Sequence, residues 1–181
     1  TLSLLSGSTP GIHPAFSRYY IRRVRMSSDD SLVKTCRELG YHTEYPLNFD
    51  GTEDKKMMIV EFPCQSGKDA ILAKDMSAIQ QLDLVKRLQT IWSDNAVSCT
   101  VYYRKEELDS IKSWLKDNYK TAIKSVSFLL HSDHGFQQPP YEEIDEEIYK
   151  KRTAQLKPLK MHDGGEAISF GECESGACPV R

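Results

Sequence analysis

The sequence has no apolar run that approaches the ~18–20 residues a membrane-spanning helix needs, and its mean hydropathy is −0.51. No spanning helix is expected. It also lacks an excess of positive charge: 24 Lys and Arg stand against 26 Asp and Glu, for a net charge of −2. That balance argues against a nucleic-acid binder working through bulk positive charge. No basic segment precedes the short apolar stretch Leu2–Leu5, so no secretory signal is visible. The sequence opens on Thr1 rather than Met, which reads as a processed or clipped chain. The five cysteines are too few, and odd in number, for a secreted disulfide framework in a chain of 181 residues. No Cys-x-x-Cys pair is present, so a four-ligand zinc site lacks its usual start, although His162 lies near Cys173.

What is present has the periodicity of a mixed α/β fold. Residues 18–26 predict a strand. Asp29 or Asp30 can cap a helix over 31–39 with Leu32, Val33, Cys36 and Leu39 on one face, and Gly40 suits the position just beyond its end. Residues 57–62 form an apolar run ended by Pro63, which predicts a strand buried on both faces. Ile79, Leu82, Val85, Leu88 and Ile91 make one stripe of a helix over 76–92. Strands are expected at 97–103 and 125–130. A helix over 105–118 should turn Leu108, Ile111 and Leu115 inward, and a last helix is expected near 141–153. Strand and helix alternating from 57 to 130 predict parallel pairing, with functional residues at the carboxyl ends of the strands. Beyond Lys157-Pro158, the glycines at 164, 165, 171 and 176 among polar residues predict a mobile tail.

Charge is uneven along the chain. Residues 1–28 carry Arg18, Arg22, Arg23 and Arg25 and no acid. This cluster suits either an anionic ligand or structural pairing. Glu142, Glu143, Asp145, Glu146 and Glu147 suit the solvent face and first turn of a helix.

Three groups of residues can carry chemistry. Cys173 and Cys178 enclose four residues that include Ser175-Gly176, a spacing that can close a small disulfide loop. On a mobile tail such a pair can exchange with one disulfide and then with another reductant, while Glu172 and Glu174 raise the thiol pKa values. The loop Ser6-Gly7-Ser8-Thr9-Pro10-Gly11-Ile12-His13-Pro14 can offer hydroxyls and backbone N–H groups to a phosphate, though no Gly-Lys-Ser/Thr follows and an ordinary turn is the default. His131-Ser132-Asp133-His134 offers metal or proton-transfer groups, without a third ligand fixed by spacing. Cys36, Cys64 and Cys99 sit in apolar patterns and are expected in the core.

Four stretches together resemble the C-terminal end of ribonucleotide reductase large chains, most closely the adenosylcobalamin-dependent ribonucleoside-triphosphate reductases. They are 1–14 running into Arg18–Val24, Trp92-Ser93-Asp94-Asn95-Ala96-Val97-Ser98-Cys99-Thr100-Val101, His131–Glu142, and Glu172–Pro179. The resemblance implies the C-terminal part of a ten-stranded α/β barrel over 1–156, with a flexible redox tail over 157–181. It implies replacement of a ribose 2′-hydroxyl by hydrogen, through a thiyl radical generated with adenosylcobalamin, a barrel cysteine pair supplying two electrons. By the same resemblance Cys173 and Cys178 re-reduce that pair and thioredoxin re-reduces them. The resemblance also implies that Thr1, Leu2 and Ser3 contact substrate phosphate. The radical cysteine, its partners, the barrel pair and the dNTP effector site lie outside the sequence, so the fragment alone is expected to be inactive. A cytoplasmic monomer acting on ribonucleoside triphosphates, with no nucleic-acid or membrane partner, is implied. The rival readings are a class I large subunit with a separate radical-generating subunit, and a stand-alone dithiol redox or interaction module.

Overall fold

Two strands of equal length organise the first half of the chain. In the computed structural model, which describes residues 8–131 and 137–159, β1 (Tyr19–Ser27) and β3 (Met57–Gln65) pair antiparallel along their whole length, from Tyr19 opposite Gln65 to Ser27 opposite Met57. Between them, α1 (Ser31–Glu38) starts where the Asp30 carboxylate accepts the Leu32 N–H at 2.8 Å. It ends at Gly40, whose φ of +90° suits a residue without a Cβ. The short β2 (Thr43–Glu44) then covers β3 at Ile59 and Val60. Val33 and Cys36 of α1 pack on Met58 and Val60 to form one core cluster.

The second half is built on α2 (Ala78–Ile91), β4 (Thr100–Tyr103), α3 (Leu108–Asn118) and β5 (Ser127–Leu130). A reciprocal cap opens α2: Gln80 N–H donates to Ser77 Oγ, and Ser77 N–H donates to Gln80 Oε1. β4 and β5 are parallel, joined through α3. Ala78, Leu82 and Val85 close on Cys99, Val101, Ile111 and Ile123 in the second core cluster.

The final segment returns to the first sheet. β6 (Tyr141–Glu143) lies antiparallel against β1, giving the order β2-β3-β1-β6. α4 (Glu146–Thr153) follows, capped by the Asp145 carboxylate, which accepts the Ile148 N–H at 2.7 Å.

Several expectations change. The strand at 57–62 does not join a parallel sheet with β4 and β5. It pairs antiparallel with β1, because two nine-residue strands make a ladder that a four-residue strand cannot match. Among the described residues, β4, α3 and β5 form the parallel crossover unit. Pro63 does not end β3. It sits beyond the reach of β2, where its missing N–H leaves no ladder bond unmade. The expected helix at 141–153 begins at Glu146, and its first residues are β6. The apolar stripe of α2 is buried at Leu82 and Val85 but runs out at the helix end, where Ile91 and Trp92 are exposed. Leu108 of α3 is likewise exposed while Ile111 is buried.

Candidate functional site

The opening loop reaches the parallel pair through one imidazole. His13 Nδ1 lies 2.9 Å from the Pro10 carbonyl, and His13 Nε2 accepts the Thr100 N–H at 3.0 Å. Both bonds together require a neutral ring with its proton on Nδ1. The Ala15 N–H, next along, donates to Ile71 O at 2.8 Å and continues the fastening. The described part of the loop, from Pro10 to Ala15, is therefore docked on the first residue of β4.

Gln81 holds the same edge of β4 two residues further on. Its Nε2 donates to the Tyr102 carbonyl at 2.9 Å, and its Oε1 accepts the Tyr102 N–H at 3.0 Å. A buried glutamine amide thus takes the place of a neighbouring strand at this point. The other edge carries β5, where the His131 N–H donates to Tyr103 O at 2.8 Å. At that carboxyl end the His131 ring stacks on Tyr102 with centroids 5.4 Å apart. Burial, and then the charge of Arg104, hold His131 below the usual histidine range, so the ring is neutral at pH 7. Its Nε2 is buried and has no partner among the described residues.

Three arginines of the cluster, Arg18, Arg22 and Arg23, are structurally paired, while Arg25 is exposed. Arg23 Nη2 lies 2.8 Å from Glu61 Oε1 and also pairs with Glu142, while its Nη1 donates to Pro139 O. Arg22 lies 4.2 Å over the Tyr141 ring and donates to Pro140 O. Arg18 donates to the carbonyls of Ser66 and Gly67. Glu142, expected on a solvated helix, is instead a strand residue in this network. Glu61 is the centre. Its carboxylate is almost fully buried on β3, and its second oxygen, Oε2, lies 3.3 Å from Arg152 of α4. In the sequence Glu61 stands at the carboxyl end of an expected strand with no partner assigned, although an acid inside a run expected to be buried on both faces is itself the signal for a buried cation partner.

Phe16, Tyr20 and Tyr141 cluster nearby, and burial pushes the Tyr20 phenol up to about 12. Among the three inner cysteines, Cys36 and Cys99 are buried as expected, whereas Cys64 is only partly covered. Burial raises all three thiols, Cys99 to about 11. At neutral pH they stay protonated and are poor nucleophiles.

Thr1, Leu2, Ser3, Cys173 and Cys178 lie outside the described residues, as do Ser132, Asp133, His134 and His162. No group of three or more His, Cys, Asp or Glu side chains among the described residues could hold a metal ion. Two clefts among the described residues measure about 550 and 330 Å³. The larger one is lined by Arg37, His42, Glu61, Lys151 and Arg152 among others, and the smaller one by Arg22, Arg23 and Arg25 among others. A corrin cofactor with its adenosyl group exceeds drug-sized ligands, which already fill ~300–1,000 Å³ of mostly apolar cavity. The described residues do not fit it.

Comparison with known proteins settles the family. The family described as "Ribonucleotide reductase, barrel domain" matches residues 1–129. The chain belongs to that family. A Dictyostelium discoideum protein named "Probable adenosylcobalamin-dependent ribonucleoside-triphosphate reductase" is 38% identical over 188 residues, covering 99% of this chain and 24% of the relative. The "Adenosylcobalamin-dependent ribonucleoside-triphosphate reductase" of Lactobacillus acidophilus is 34% identical over 194 residues, covering 100% and 25%. Among solved structures, a B12-dependent (class II) ribonucleotide reductase superposes with a TM-score of 0.70 at 32% identity, covering 87% of this chain and 22% of that one. The chain spans about a quarter of the length of the curated relatives it matches.

Proposed function

We propose that the protein containing this chain is an adenosylcobalamin-dependent ribonucleoside-triphosphate reductase. In this reading the chain supplies the end of its barrel and its reductive tail. The observation that carries this is similarity over 99% of the chain to a relative bearing that name. The crystal structure of a B12-dependent reductase, whose fold the chain follows, supports it. When bound, adenosylcobalamin supplies the radical that starts the reaction.

The chain's own residues have two tasks. Thr1, Leu2 and Ser3 form the edge of the substrate-phosphate loop, where a hydroxyl and backbone N–H groups meet phosphate oxygens. The docking of His13 on Thr100 and Pro10 then ties the continuation of that loop to β4. Cys173 and Cys178 form the second device. One tail thiolate attacks a sulfur of the oxidised barrel pair, which gives a mixed disulfide. The other tail thiolate displaces it, so two electrons and two protons pass from tail to barrel and the tail pair is left as a disulfide. Thioredoxin re-reduces that disulfide by the same exchange. The division falls near Lys157, with barrel before it and redox tail after it. A dNTP effector acts at a site elsewhere in the protein, which works as a cytoplasmic monomer.

The test is turnover by the full-length protein. Reduction of ribonucleoside triphosphates is expected only when adenosylcobalamin is added, with no second protein subunit. Activity that ignores adenosylcobalamin but requires a separate subunit would contradict the reading.

A further inference from the structure

The inward stripe of α2 continues past the core it serves. Ala78, Leu82 and Val85 recur at intervals of four and three, and the same repeat reaches Gln89 and Trp92. Leu82 and Val85 are closed off by the second core cluster. Trp92 is 85% exposed, and its neighbour Ile91 is 80% exposed. Fraying does not explain this exposure, because the turn beneath Trp92 is tied down. The Trp92 and Ser93 N–H groups both donate to Leu88 O, at 3.0 and 2.9 Å. Gln89 Nε2 donates to Ser93 O and Asn95 O, and its Oε1 accepts the Val97 N–H. Lys124 Nζ donates to Asp94 O. The end of α3 lies alongside, where Lys86 Nζ donates to Asn118 Oδ1 at 2.6 Å, and the next residue, Tyr119, is 65% exposed.

Isolated apolar residues on a surface are ordinary. An adjacent Ile–Trp pair on a hydrogen-bonded support has the form of an interface anchor, since the backbone beneath it is ordered before any contact is made. The rim is basic: Arg87, Lys116, Lys120 and Lys124 outnumber Asp94 and Asp117. We infer that Ile91 and Trp92 seat in an apolar, acid-rimmed surface of the same protein, contributed by the part outside this chain. This rests on the reading of the chain as one end of a longer reductase, since it covers 24% and 25% of the two relatives described above. The sign follows from the residues themselves: covering a fixed apolar surface is favourable, and acidic groups opposite the basic rim set its register.

Hydroxyl-radical footprinting of the native full-length protein, read by peptide mass spectrometry, measures the access of Trp92 without a substitution. Oxidation of Trp92 should fall several-fold below its rate in the unfolded protein and should not change with protein concentration. Arg87→Glu/Lys120→Glu should raise it toward the unfolded rate, because acid would then face acid, whereas Arg87→Lys/Lys120→Arg should leave it low. Oxidation of native Trp92 at the unfolded rate overturns the inference, whether the residue is bare or awaits a separate protein. Protection that grows with concentration overturns it in favour of a second copy, and protection unmoved by charge reversal overturns the acid-rimmed surface. Turnover of the same preparation separates the two claims. Adenosylcobalamin-dependent turnover with an open Trp92 removes this inference and leaves the reductase reading standing; a protected Trp92 without such turnover does the reverse.

Discussion

Replacing Cys173 and Cys178 by Ser in the full-length protein should cut thioredoxin-driven turnover to below about one hundredth, because a serine hydroxyl cannot enter thiol–disulfide exchange. Turnover driven by a small dithiol should survive, since such a reductant can diffuse to the barrel pair without the tail. The split between the two reductants is the diagnostic. Loss of both would mean that the substitutions damage the barrel or its chemistry. Survival of both would mean that another pair carries the electrons. Cys36, Cys64 and Cys99 are poor substitutes: burial keeps their thiols protonated at neutral pH.

Glu61→Ala should weaken the antiparallel sheet by about 3 kcal/mol, toward the low end of the penalty for breaking a buried ion pair. Arg23, whose side chain is 11% exposed, would lose its buried partner but keep Glu142 and the Pro139 carbonyl, which moderates the loss. Arg152→Ala should cost under about 1 kcal/mol, because its side chain is 46% exposed and solvent screens the pair. Amide exchange of β1 and β3 in the full-length protein reads both effects as local opening free energies. Equal effects of the two substitutions would show that the network is not centred on Glu61.

The legible parts of the sequence were those with a local cause. The Asp30 cap, the Gly40 terminus and the Leu82–Val85 face of α2 follow from short-range rules, and the structure has them. Which strand pairs with which was not legible, because periodicity records burial and not partner. The run at 57–62 was expected to be buried, and Met58 through Glu61 are. Its antiparallel pairing with β1 depends on a match in length across the intervening residues 28–56, and alternation of elements pointed to parallel neighbours instead. The arginine cluster was ambiguous for a similar reason. Its counter-charges at Glu61 and Glu142 are far away in sequence, and only the fold brings them to Arg23. Gln81 gave no signal at all, since a glutamine on a helix reads as solvent-facing until its amide is found bonded to both backbone groups of Tyr102. Motif resemblance reached what periodicity could not. The opening loop and the tail pair pointed to the ribonucleotide reductase family, and the barrel-domain match over residues 1–129 places the chain there.

The most direct measurement maps cysteines in the full-length protein. Fully reduced protein is allowed to turn over without external reductant until product formation stops, then quenched in acid, alkylated and analysed by mass spectrometry. A disulfide joining Cys173 to Cys178, with Cys36, Cys64 and Cys99 recovered as alkylated thiols, is the predicted result. Recovery of Cys173 and Cys178 as free thiols after product has ceased, or a disulfide drawn from Cys36, Cys64 or Cys99, would contradict it.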